Sequence, residues 1–114
     1  MELLVGIDQD PTALEIASAN LAAMAQGRAS LATKLHRGNF SELPKVLEGL
    51  GLRGRVDGML LDLGMSSMQV DSAERGFSFL RDAPLDMRMN PSAPLTAALL
   101  VNEWSEAEIG RVFR

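Results

Sequence analysis

Apolar residues along this chain fall into short unbroken runs, separated by polar stretches in which apolar positions recur at helical spacing. Leu3 to Ile7 is one such run, the pattern of a strand buried on both faces of a parallel sheet. Asp8-Gln9-Asp10-Pro11 then breaks it, with Asp10 suited to cap a helix and Pro11 to its first turn. Ala13, Leu14, Ala17, Leu21 and Met24 follow at helical spacing, which predicts a helix from about Pro11 to Gln26.

Leu31 to Leu35 reads as a second, weaker strand ending in His36-Arg37-Gly38-Asn39-Phe40. Ser41 is expected to cap an amphipathic helix through Leu43, Val46, Leu47 and Leu50, and Gly49, Gly51 and Gly54 to end it. Arg55 to Leu61 is the predicted third strand. Strands and helices alternating in this way imply an α/β fold with a parallel sheet covered on both faces.

That third run leads straight into a long segment, from Asp62 to Met89, containing Gly64, Ser66 and Ser67 and rich in Phe and Met. It is too long for an ordinary connection and too apolar for a linker, so a functional loop is expected. Beyond Pro84, Pro91 and Pro94 punctuate the chain, Leu95 to Val101 is helical in pattern, and Ser105-Glu106-Ala107-Glu108 is a capping box. Three strands and two covering helices leave a sheet edge bare and bury little area, so the chain is expected to be part of a larger α/β protein.

Composition narrows the function. The chain has 114 residues, 46% of them hydrophobic and 23% charged, which fits one soluble globular domain without a membrane span. No cysteine is present, which excludes disulfides and thiolate metal sites, and the single His36 does not make a metal site with its neighbours. The net charge of −4 carries no overall basic excess for nucleic acid. Arg75, Arg81 and Arg88 nevertheless fall on the long loop, either as a local cationic patch or as scattered solvated side chains.

Three positions fall at predicted strand ends, where open α/β sheets bind ligands. Asp8 is placed to accept hydrogen bonds from ribose hydroxyls, or else is a turn carboxylate or helix cap. Phe40 suits a flat adenine ring, although core packing is the commoner role for Phe. Asp62 suits an acceptor for an amine of a cofactor or substrate. A nucleobase amine is a poor nucleophile because its lone pair is delocalised; acceptors that hold its N–H bonds out of plane restore reactivity. Ser66 and Ser67 either add hydrogen bonds there or satisfy a turn.

The segments LLVGIDQDPTAL, HRGNFSEL, VDGMLLDLGMSSMQVDSAERGFSF and APLDMRMNP resemble, in order and spacing, the MraW/RsmH family of S-adenosylmethionine-dependent methyltransferases, which act on the N4 amine of a cytosine in small-subunit ribosomal RNA. The resemblance covers essentially the whole chain. It implies a partial Rossmann-like methyltransferase core over residues 1–83, lacking its first strand and its C-terminal strands, and the start of a helical substrate-binding insertion over residues 84–114. It implies S-adenosylmethionine as cofactor, with Asp8, Phe40, Asp62 and Gln69 as contacts, and Asp62, Ser66 and Ser67 near the substrate amine. Arg75, Arg81 and Arg88 become RNA-binding residues, and the target cytosine must be unstacked to react.

The family's glycine-rich cofactor loop, ending in Gly-Gly-His, would precede Met1, so the chain alone is not expected to catalyse. Met68 stands where bacterial members usually have proline, and the resemblance is nearest to plant or algal organelle forms; a plastid setting is expected, ahead of mitochondria or the bacterial cytoplasm. Two other classes stay open: a non-catalytic relative that binds RNA or the ribosome, and a nicotinamide-binding protein. The latter needs a G-x-G-x-x-G loop upstream of Asp8 and leaves DLGMSS without a role.

Overall fold

The computed structural model describes residues 2–28 and 30–114, which divide by packing into a unit ending at Leu61 and a second beginning at Asp62. In the first unit, strand β1 (Glu2–Asp8) leads through helix α1 (Pro11–Ala25) into strand β2 (Leu31–Arg37). The strands pair in parallel, from Glu2 opposite Leu31 to Asp8 opposite Arg37. Helix α1 begins where its sequence says it should: the Asp10 side chain accepts the Thr12 N–H, Pro11 fills the first turn, and an alanine-rich body follows.

Beyond β2 the cap differs from the expected one. Asn39, not Ser41, starts a 3₁₀ turn (Phe40–Glu42), in a reciprocal capping box with Glu42, and helix α2 (Leu43–Gly49) continues from it. Asn39 wins because its short carbonyl reaches the Ser41 N–H while the Glu42 carboxylate returns to the Asn39 N–H.

The expected third strand does not form. Residues 55–61 have no ladder partner, since the sheet among the described residues has two strands, β1 and β2. Leu60 is 90% exposed, so the apolar run is extended chain without the hydrogen-bonded neighbour that a strand requires. No apolar side chain among the described residues is buried; the two buried residues are Asp10 and Gln69, each enclosed by the turn it caps. The expectation of a parallel α/β sheet therefore holds for one β-α-β unit.

The second unit contains helix α3 (Ser67–Asp71), a 3₁₀ turn (Ala73–Arg75), helix α4 (Ala97–Glu103) and helix α5 (Glu106–Val112). Thr96 caps α4, and Ser105 with Glu108 forms the expected capping box of α5. The first two N–H groups of α4 do not rely on the cap alone: Ala97 donates to the Asp86 carbonyl and Ala98 to the Leu85 carbonyl, both at 2.8 Å. The orphan donors of a helix start are thereby used to dock it on the preceding loop.

Gly76 makes that loop possible. Its φ is +71°, and a Cβ there would strike the Pro84 carbonyl and stand 2.9 Å from the Asp86 nitrogen. Gly76→Ala is expected to destabilise the second unit by at least about 1–2 kcal/mol. Gly110→Ala, in open space on α5, is expected to stabilise by up to about 1 kcal/mol. Amide exchange of Met87 and of Ile109 in the two variants checks both, with faster exchange expected only for the first.

Candidate active site

The carboxyl ends of β1 and β2 are tied together by backbone and side chain. Gly38 N–H donates to the Asp8 carbonyl at 3.0 Å, and Asn39 Nδ2 donates to Gln9 Oε1 at 3.5 Å. Asp8 Oδ1 accepts the Asp10 N–H at 2.8 Å, while the helix-capping role belongs to Asp10. The Asp8 carboxylate thus stands exposed on a braced turn. Phe40, first residue of the neighbouring turn, is 56% exposed and so is not a core side chain. An acid and an aromatic ring, at adjacent ends of two parallel strands, are brought to the position where α/β folds bind nucleosides.

In the second unit, Asp62 is exposed and Gly64, at φ +133°, turns the chain after it. Ser66 Oγ accepts the Gln69 N–H at 3.3 Å and Gln69 Oε1 accepts the Ser66 N–H at 3.1 Å. This reciprocal box starts α3 and fixes Ser66 and exposed Ser67 on one turn. Gln69, 5% exposed, is therefore part of the scaffold that presents the serines. The S-x-x-Q spacing was the signal for this helical turn, and a reading of the serines as loop residues passes over it.

The three loop arginines are in different situations. Arg75 Nη2 donates to the carbonyls of Arg88 and Met89, both at 3.0 Å. Arg88 meets Asp86 through two parallel bonds, Nε to Oδ1 at 2.9 Å and Nη2 to Oδ2 at 2.7 Å, and donates from Nη1 to the Ala93 carbonyl. Arg81 is exposed and donates one bond, to the Asp71 carbonyl at 3.4 Å. Asp86, absent from the sequence-based candidates, is the centre of the arrangement. Its carboxylate also accepts the Arg88 N–H at 2.9 Å, and the turn that permits this sits at Met87, whose φ of 60° is the one positive value among the described non-glycine residues.

A cavity of about 310 Å³ lies elsewhere in the first unit, between β2 and α2, lined by Leu35, His36, Val46 and Leu50 among others. His36 Nε2 stands 3.7 Å from Glu42 Oε2 there. Among the described residues no group of three or more acidic or histidine side chains is placed to hold a metal ion, and no helix is long and apolar enough to cross a membrane.

A parallel β-α-β unit of this kind places the chain in the α/β class, and it is consistent with part of a Rossmann-like fold. Comparison makes this specific: the profile of the MraW methylase family matches residues 1–114. The chain is 53% identical over 112 residues to the ribosomal RNA small subunit methyltransferase H of Geobacter sulfurreducens, covering 98% of this chain and 34% of that protein. It is 50% identical over 111 residues to the namesake from Heliobacterium modesticaldum (97% of this chain, 34% of that protein). The protein of that name from Symbiobacterium thermophilum is 52% identical over 111 residues (97% of this chain, 33% of that protein). This chain belongs to the MraW methylase family, and it spans about a third of the length of these relatives. All three come from bacteria, and the expectation of a plastid setting finds no support in them.

The Asp86–Arg88 pair has a measurable electrostatic consequence. Hydrogen bonds from the Arg88 side chain and backbone hold the Asp86 carboxyl at about 2, down from 3.8, and the same pairing raises the Arg88 guanidinium. Because the folded-state value is the lower one, the pair stabilises the loop fully above 3.8 and the contribution is lost as pH falls toward about 2. The carboxyl ¹³C shift of Asp86 is expected to titrate with a midpoint near 2; a midpoint near the unperturbed value would mean that the pair is not formed in solution.

Proposed function

We propose that this chain forms part of an S-adenosylmethionine-dependent methyltransferase acting on the N4 amine of a cytosine in small-subunit ribosomal RNA. The observation that carries this reading is the exposed acid and aromatic at adjacent strand ends, in a chain of the MraW methylase family. The relatives' name supports ribosomal RNA as the substrate, and their bacterial origin favours the bacterial cytoplasm over the plastid as the setting. Residues 84–114 begin the helical insertion that helps bind RNA, after a partial Rossmann-like core over residues 1–83.

The residues fit the adenosine end of the cofactor. In the first unit, Asp8 would accept from the ribose hydroxyls and Phe40 would face the adenine; in the second, the family resemblance assigns Asp62 and Gln69 as further contacts, with Gln69 also bracing the turn that carries Ser66. The cofactor, when bound, supplies an electrophilic methyl group. Asp62, Ser66 and Ser67 hold the cytosine amine by its N–H bonds, so that its lone pair is drawn out of conjugation with the ring. Of the loop arginines, Arg81 is assigned to phosphate, because Arg75 and Arg88 are committed to the loop's own backbone and to Asp86. That no apolar side chain among the described residues is buried supports the view that these 114 residues do not turn over substrate by themselves.

A chimera tests this: the matched segment of the Geobacter protein is replaced by this chain and offered labelled cofactor and undermethylated small ribosomal subunits. Transfer is expected to a cytosine N4, and none is expected from the isolated chain. A folded chimera that leaves the subunit unlabelled, or labels another base atom, overturns the reading. Asp62→Ala in the chimera is expected to lower turnover at least about 100-fold with the fold intact; near-normal turnover removes Asp62 from the chemistry.

A further inference from the structure

The segment between Gly76 and Asp86 leaves and returns through one neck. At the neck, Met87 N–H donates to the Arg75 carbonyl at 3.0 Å, Arg75 reaches across to the Arg88 and Met89 carbonyls, and Asp86 clamps Arg88. On its flank, Arg81 is tied to the Asp71 carbonyl. Near the far end, Leu80 N–H donates to Ser78 Oγ at 3.2 Å, closing a local turn.

Between these ties stand Phe79, 97% exposed, and Leu80, 81% exposed. Many apolar side chains of this chain are exposed on strands, helices or the extended run before Asp62. Phe79 differs because the loop that carries it is fastened at its neck and, through Arg81, on its flank, with a local turn between Ser78 and Leu80 around the ring. Two residues on is Arg81, with its guanidinium exposed. A free aromatic face beside an exposed cation is the minimal contact for unpaired nucleic acid, with the ring stacking on a base and the cation facing a phosphate.

We propose that loop 76–86 is a preformed contact for unpaired RNA, in which Phe79 stacks on a base and Arg81 faces a phosphate. Arg75, Asp86 and Arg88 are positioning residues that hold its neck. The proposal rests on the RNA methyltransferase reading and specifies where the RNA strand is gripped. It gives the loop no base preference, since every base offers a stacking face.

The test is binding of a fluorescein-labelled oligocytidylate to the full chain, followed by anisotropy over a salt series, with Met87 amide exchange as the fold control. Phe79→Ala is expected to weaken binding roughly 5- to 100-fold with the salt slope unchanged, and Phe79→Trp to retain it. Arg81→Ala is expected to lower the slope by about 0.7. Arg88→Lys, which keeps the charge and loses the paired bonds, is expected to weaken binding as much as Arg88→Ala does, neither changing the slope. Unchanged affinity in Phe79→Ala overturns the stacking role. A slope lowered by Arg88→Ala and preserved by Arg88→Lys overturns the division of roles by making Arg88 a phosphate contact. Should the wild-type chain not bind the probe, the same variants in the active chimera decide: a raised KM for the ribosomal subunit in Phe79→Ala, at unchanged cofactor affinity, supports the contact, and an unchanged KM overturns it. Methylation by a chimera insensitive to Phe79 and Arg81 would leave the methyltransferase reading standing, whereas loss of methylation in the parent chimera strikes that reading itself.

Discussion

The second half of this chain is organised by the carboxylate of Asp86. It accepts three hydrogen bonds from Arg88, two from the guanidinium and one from the backbone, while its own carbonyl receives the start of α4. A bidentate arginine–carboxylate pair is among the stronger polar contacts a surface can hold. Here it closes a turn in which Met87 adopts a positive φ, a conformation that costs a non-glycine residue roughly 1–2 kcal/mol. With no apolar side chain buried among the described residues, such polar closure, rather than apolar packing, is what defines local structure there.

The first half follows a different rule. Its order comes from a parallel strand pair and from the turns at its carboxyl end, where Asp8, Asp10 and Asn39 each satisfy a backbone donor within a few residues. These short-range bonds leave the outward side chains of the strand ends, Asp8 and Phe40, exposed. Asp10 caps the helix, while Asp8 accepts the Asp10 N–H and keeps its carboxylate exposed.

What the sequence revealed was whatever depends on a few consecutive residues. The apolar run of β1, the Asp10-Pro11 start of α1 and the Ser105–Glu108 box were all legible because each signal lies within one turn. The strand expected over residues 55–61 was not decided by its own apolar run, because a strand exists only through a partner that is distant in sequence. The box between Ser66 and Gln69 was visible in the spacing and is missed if two serines after a glycine are read only as a turn. Asp86 was not legible: the bond from Arg75 to the Met89 carbonyl crosses fourteen residues, and no local pattern announces that the chain returns there. For the same reason three arginines on one loop looked equivalent in sequence and proved to have different partners.

The proposed function requires that the strand ends of this chain hold the adenosine end of a methyl donor. Its most direct measurement is a crystal structure of the active chimera with S-adenosylhomocysteine bound. A carboxylate oxygen of Asp8 is expected within about 3.2 Å of a ribose hydroxyl, with the Phe40 ring against the adenine. A nucleoside bound with neither residue in contact would overturn that assignment.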